Sequence, residues 1–84
     1  MNKVIVEFLG TMFLSFVVFA TGNYLAIGAA LAMAVLVGGA ISGGAFNPAI
    51  AIAMAYKGAL DANMVLPYVI AQILGAIVGA YLAR

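Results

Sequence analysis

The side chains able to do chemistry in this 84-residue chain are few, and three groups of them carry a pattern. Glu7, Thr11 and Ser15 stand at i, i+4 and i+8, which places a carboxylate and two hydroxyls on one face of a helix. Asn47 directly precedes Pro48 within ISGGAFNPAIAIAMAY, residues 41–56, and Gln72 interrupts a late apolar run. Histidine, cysteine and tryptophan are absent from the sequence, so imidazole acid–base catalysis, thiol chemistry and the usual transition-metal ligands are not on offer. The expectation is a protein that is not an enzyme, with no metal site and no cofactor. Hydrogen bonding remains, either as an internal brace or as contact with a passing neutral solute.

The elements that must position these groups follow from composition. Hydrophobic residues make up 69% of the chain and charged residues 6%, where soluble domains carry about a quarter charged residues. With a mean hydropathy of +1.33, the chain reads as an integral, multi-pass membrane protein, placed in the cell membrane. Lys3, Lys57 and Arg84 against Glu7 and Asp61 leave a net charge of +1, too sparse for a nucleic-acid face or a polybasic lipid patch. Three apolar runs, at about residues 4–21, 24–41 and 64–83, each suit a hydrocarbon core of about 30 Å. A secretory signal is the rival reading of the first run, given Lys3 and the Val18-Phe19-Ala20 stretch. Glu7 inside the run and the run's length favour a retained helix.

Residues 42–57 make a fourth, shorter piece. Asn47 is a favoured N-cap, and Pro48 suits the first helical position, where its missing N–H costs nothing. The pattern predicts a helix from Pro48 to Tyr56 that stops at Lys57-Gly58, roughly 15 Å long and therefore half a bilayer. Irregular backbone such as Ser42-Gly43-Gly44-Ala45-Phe46 survives at membrane depth only when it is buried in protein or lines a wet cavity. A re-entrant loop with a half-helix, its positive end aimed inward and Asn47 at its tip, fits better than an interfacial helix, which needs a strongly charged face. Elsewhere the plainer readings prevail. Glu7 is a buried brace and not a proton carrier, and Gln72 is an interhelical hydrogen bond. Ala30, Ala34 and Gly38, like Gly75 and Gly79, form packing stripes, while Tyr24, Tyr56 and Tyr81 sit near span ends.

SGGAFNPA resembles the first signature of the major intrinsic protein family, the aquaporins and glycerol facilitators, usually Ser-Gly-x-x-x-Asn-Pro-Ala. It lies between EFLGT (Glu7 to Thr11) and YVIAQILGA (Tyr68 to Ala76), which are similar to that family's first- and third-helix signatures. The resemblance covers nearly the whole chain but only the first half of the family's fold, in which two inverted three-helix repeats share one chain. It implies an all-α membrane protein of three transmembrane helices plus one re-entrant half-helix, a single repeat over residues 1–84. By the same resemblance, Asn47, Pro48 and Ala49 would form the pore-centre motif, and the carbonyls of Gly43, Gly44 and Ala45 would line the path. Ile27 would stand in the narrow region, Glu7 would brace the loop through its N–H groups, and Gln72 would be the buried partner on the third helix. Ala45 replaces a frequent histidine, a change expected to widen the path. The filter arginine of relatives belongs to the second repeat and has no counterpart here.

Conduction needs two half-helices tip to tip. Lys3 and Lys57 on one side against Arg84 on the other is a weak orientation bias, which permits insertion both ways. The expectation is an antiparallel homo-oligomer, or pairing with a complementary channel half, that passes water or small neutral solutes such as glycerol. Under two-fold symmetry its narrow regions would be formed by Ile27, Gly44 and Ile50. The alternatives are a non-conducting or regulatory membrane subunit or fragment that pairs with a longer channel, or a small holin-like lesion-forming protein, which has no need of an Asn-Pro-Ala tip.

Overall fold

Asparagines start the first two helices. Asn2 Oδ1 accepts from the N–H groups of Val4 and Ile5, and Asn23 Oδ1 from those of Leu25 and Ala26, which satisfies donors that a first helical turn leaves free. The computed structural model describes residues 2–84 and contains α1 at Lys3–Thr21, α2 at Tyr24–Ser42, α3 at Pro48–Tyr56 and α4 at Val65–Leu82. A 3-10 turn at Ala62–Met64 leads into α4, and no strand occurs among the described residues. Gly22 (φ 56°) and Gly43 (φ 89°) end α1 and α2 in the left-handed conformation that glycine adopts without a steric cost. Because Gly43 takes that position, α2 runs one residue past the expected end at 41.

Three stretches, Lys3–Thr21, Tyr24–Ser42 and Ala62–Leu82, are long and apolar enough to cross a membrane. The protein is an all-α integral membrane protein of three such helices and one short one. A 19-residue helix is about 28 Å long, close to the thickness of a bilayer core and within the 35 Å long dimension of the molecule. Apolar bulk faces outward, with Leu36 and Val37 on α2 and Phe19 on α1 well exposed, as suits a lipid environment.

Helix α1 is central: it packs against α2 on one side and, over most of its length, against α4 on the other. The close approach of α1 and α4 depends on two glycines. A Cβ on Gly75 would collide with the Phe8 carbonyl oxygen, and one on Gly79 with that of Met12. Ser15 Oγ crosses the same interface and donates to the Ala76 carbonyl at 2.7 Å. These contacts account for the Ser15 hydroxyl on α1 and the Gly75 and Gly79 stripe on α4.

The short helix turns back on itself. Asn47 and Pro48 border Thr11, Leu14 and Ser15, half-way along α1, together with Gln72 and Ala76 on α4. Near its other end, Met54 packs with Val4, Leu60 and Met64 around Ala45, Ala51 and Tyr68, level with the start of α1. The chain therefore enters to mid-helix depth and returns to the side it came from. Lys57 caps α3, and Gly58 (φ 82°) turns the chain away.

Candidate functional site

Five residues without helical structure, 43–47, carry the chain from α2 to α3, and three of them have positive φ: Gly43 (89°), Gly44 (69°) and Phe46 (50°). For the two glycines this costs little, but for phenylalanine it is strained by about 1–2 kcal/mol. Two contacts offset the strain at Phe46. Its ring fills a socket in which a Cβ on Gly10 would strike the ring, and a Cβ on Gly38 would lie 2.8 Å from Val6 Cγ1 and 3.3 Å from the ring's Cζ. Its N–H donates to Glu7 Oε1 at 2.8 Å.

Glu7, fully buried, ties the loop to two helices. Its Oε1 also accepts from Gln72 Nε2 at 2.8 Å, and its Oε2 accepts from Ser42 Oγ at 2.6 Å. A carboxylate only accepts, and three donors from α2, the loop and α4 converge on it. The geometry is that of a brace: one backbone N–H, one hydroxyl and one amide. Ser42 extends the network, its Oγ accepting from Gly44 N–H at 3.2 Å and its carbonyl accepting from Tyr68 Oη at 2.8 Å. Tyr68→Phe keeps the buried ring and removes that last bond. It is expected to lower stability by about 1 kcal/mol in a denaturation series, with the helix content unchanged.

At the tip, Asn47 Oδ1 accepts the N–H of Ala49 at 2.8 Å and caps α3. That bond assigns the side chain's orientation and leaves its NH2 group, on an exposed residue, as the outward donor. The carbonyls of Gly43, Gly44 and Ala45 accept no hydrogen bond among the described residues. In a membrane such groups require water or another polar partner. The loop thus holds three carbonyls without a partner among the described residues, and its tip, with the Asn47 amide, lies at the depth of the middle of α1.

The remaining positions singled out from sequence are distributed unevenly. Ala49 and Ile50 are exposed on the first turn of α3, next to Asn47 and Pro48. Ile27 is half-buried near the start of α2, fifteen residues and so about 22 Å along the axis from Ser42, where the loop begins. The Ala45 methyl is buried with Ala51 and Tyr68, so the space its small size leaves lies in the core and not in open space beside the loop. Sequence reasoning missed the socket formed by Gly10, Gly38 and Val6 and the Tyr68 hydroxyl bond. Gly10 and Tyr68 lie within motifs that drew notice, yet no local signal separates a ring that anchors a loop from one that faces lipid.

Comparison with known proteins agrees with this architecture. Residues 1–84 match the family described as Major intrinsic protein. The chain is 47% identical over 89 residues to glycerol uptake facilitator protein-like 6 of Lactiplantibacillus plantarum, an alignment covering 95% of this chain and 41% of that protein. It is 40% identical over 96 residues to aquaporin Z of Brucella melitensis (95% and 42%) and 45% identical over 60 residues to aquaporin-8 of Notomys alexis (71% and 23%). The chain spans less than half the length of each of these relatives. No solved structure matches it.

Proposed function

This chain belongs to the major intrinsic protein family, and from that premise we propose that it forms one half of a passive membrane channel for water or small neutral solutes such as glycerol, completed by an inverted second copy. The observation that carries the reading is the loop: free carbonyls at Gly43, Gly44 and Ala45 lead to the outward amide of Asn47, held at mid-helix depth by Glu7. A water or hydroxyl that passes this row exchanges hydrogen bonds with acceptors and then with a donor, so it sheds its hydration without being trapped. The positive end of α3 opposes an entering cation at the same point.

One copy supplies one tip. Two inverted copies would place two asparagine amides and two helix ends face to face, and would bring in Ile27, Gly44 and Ile50 from both chains as the narrow positions. These residues are apolar or backbone groups, so the pore would discriminate weakly between water and glycerol. The names of the relatives, a glycerol uptake facilitator and aquaporins, are in keeping with either solute. The test is stopped-flow swelling of vesicles that hold the purified chain. Water or glycerol permeability well above that of empty vesicles is expected; permeability equal to theirs overturns the reading.

A further inference from the structure

Phe46 directly precedes Asn47, and its backbone lies at φ 50°, where residues other than glycine seldom stand. Strain of this kind persists only where the surroundings over-determine it. Between the bond from Gly44 N–H to Ser42 and the Asn47 cap, the bond from Phe46 N–H to Glu7 is the one hydrogen bond among the described residues. The ring supplies the rest. It is 3% exposed and enters the seam between α1 and α2: the three atoms nearest a Cβ on Gly10 are its Cε1, Cδ1 and Cζ, and a Cβ on Gly38 would lie 3.3 Å from Cζ. Packing leaves the ring room on two sides. It borders a groove of about 300 Å3 with Gly10 and Gly38, and a cleft of about 350 Å3 that Asn47 and Pro48 also border.

We infer that Phe46 is a positioning residue for solute selection, a peg whose depth in the socket of Gly10 and Gly38 sets where Asn47 stands and so how wide the path beside it is. The inference rests on the channel reading and adds what tunes its discrimination. Phe46 is buried and Asn47 exposed, so ring and amide face opposite ways from adjacent positions. Consecutive Cα atoms are about 3.8 Å apart and Pro48 fixes its own φ, so Asn47 has little freedom once Phe46 is placed. A deeper peg draws the tip toward the seam and widens the path, and a shallower one leaves the tip further out and narrows it. Glycerol, the larger solute, feels either change more than water does.

The colliding atoms define the variants. Gly10→Ala makes the socket shallower, because its methyl meets the far end of the ring. Phe46→Leu shortens the peg, because leucine lacks Cε1 and Cζ. In stopped-flow swelling of vesicles, the first should lower the glycerol-to-water permeability ratio by about threefold or more, and the second should raise it by a similar factor. The two combined should return the ratio close to the wild-type value, since leucine vacates the space that the methyl takes. Gly39→Ala, whose methyl meets only Val35 Cγ1 at 3.4 Å, should keep the wild-type ratio. A merely structural role would lower both permeabilities alike and leave the ratio where it was. Where Gly10→Ala loses helix content by circular dichroism, the sign of Phe46→Leu decides alone. A ratio unchanged in both single variants of a conducting chain, or one that moves the same way in both, overturns the peg and leaves the channel in place. Wild-type permeability equal to that of empty vesicles overturns the channel, and this inference with it.

Discussion

Replacing Glu7 with leucine is expected to release the loop and abolish any permeability above that of empty vesicles. The substitution strips three donors of their acceptor at once. Ser42 Oγ has an outlet, the Gly38 carbonyl at 3.4 Å, but the Phe46 N–H and the Gln72 amide have none among the described residues. At about 1–3 kcal/mol for each stranded buried donor the loss is roughly 2–6 kcal/mol. Its lower end is the better guide in a bilayer, where the alternative state also finds partners. Phe46 is the residue to watch, because its left-handed backbone is held only by its ring socket and this bond. Its amide should exchange hydrogen at least about thirtyfold faster in Glu7→Leu than in the wild type, the factor that about 2 kcal/mol gives. Glu7→Gln should be mild, since its oxygen still accepts from Phe46 and Gln72 and its NH2 faces a hydroxyl that can accept. Wild-type exchange at Phe46 in the leucine variant would show that the carboxylate is not the brace.

The double substitution Gly75→Ala, Gly79→Ala is expected to separate α1 from α4. Most overpacking in a core is relieved by side chains that move, but here the atoms in the way belong to the backbone. The Gly75 methyl would meet the Phe8 carbonyl oxygen and lie 3.2 Å from Met12 N, and the Gly79 methyl would meet the Met12 carbonyl oxygen and lie 2.9 Å from Phe16 N. Relief requires the helix axes to move apart, which also breaks the bond from Ser15 to the Ala76 carbonyl. At about 1–3 kcal/mol per site the pair should cost roughly 2–6 kcal/mol. Gly28→Ala on α2 is the matched control: nothing lies within 4 Å of the added carbon, and it should stabilise its helix by about 0.5–1 kcal/mol. Thermal unfolding in detergent would order the three proteins with Gly28→Ala highest. A double variant as stable as Gly28→Ala would mean that the two glycines are not the contact.

Both predictions turn on residues that the sequence marked for other reasons or only in outline. The Gly75 and Gly79 spacing was legible as a packing face because small residues four apart lie on one side of a helix. Its partner was legible in part: Glu7, Thr11 and Ser15 mark one face of α1, which the structure buries, but no spacing said which helix that face meets. Asn47-Pro48 announced the start of α3 because a cap and a proline act on their own turn. That Asn47 comes to rest beside Thr11 and Ser15 depends on how far the loop penetrates, which the Phe46 socket sets.

Local chemistry determined the solvent, the spans, the break at Thr21-Gly22-Asn23, the start of α3 at Asn47-Pro48 and its stop at Lys57-Gly58. Each depends on residues within about one turn or on apolar length alone. Folding decided the rest. Glu7 meets Ser42, Phe46 and Gln72 across 35, 39 and 65 residues of chain, pairings that no spacing rule contains. Folding also left Thr11 Oγ1 and Gln72 Oε1 without a partner among the described residues. In a body this apolar, which polar groups find partners is settled by packing, because each has so few to choose from.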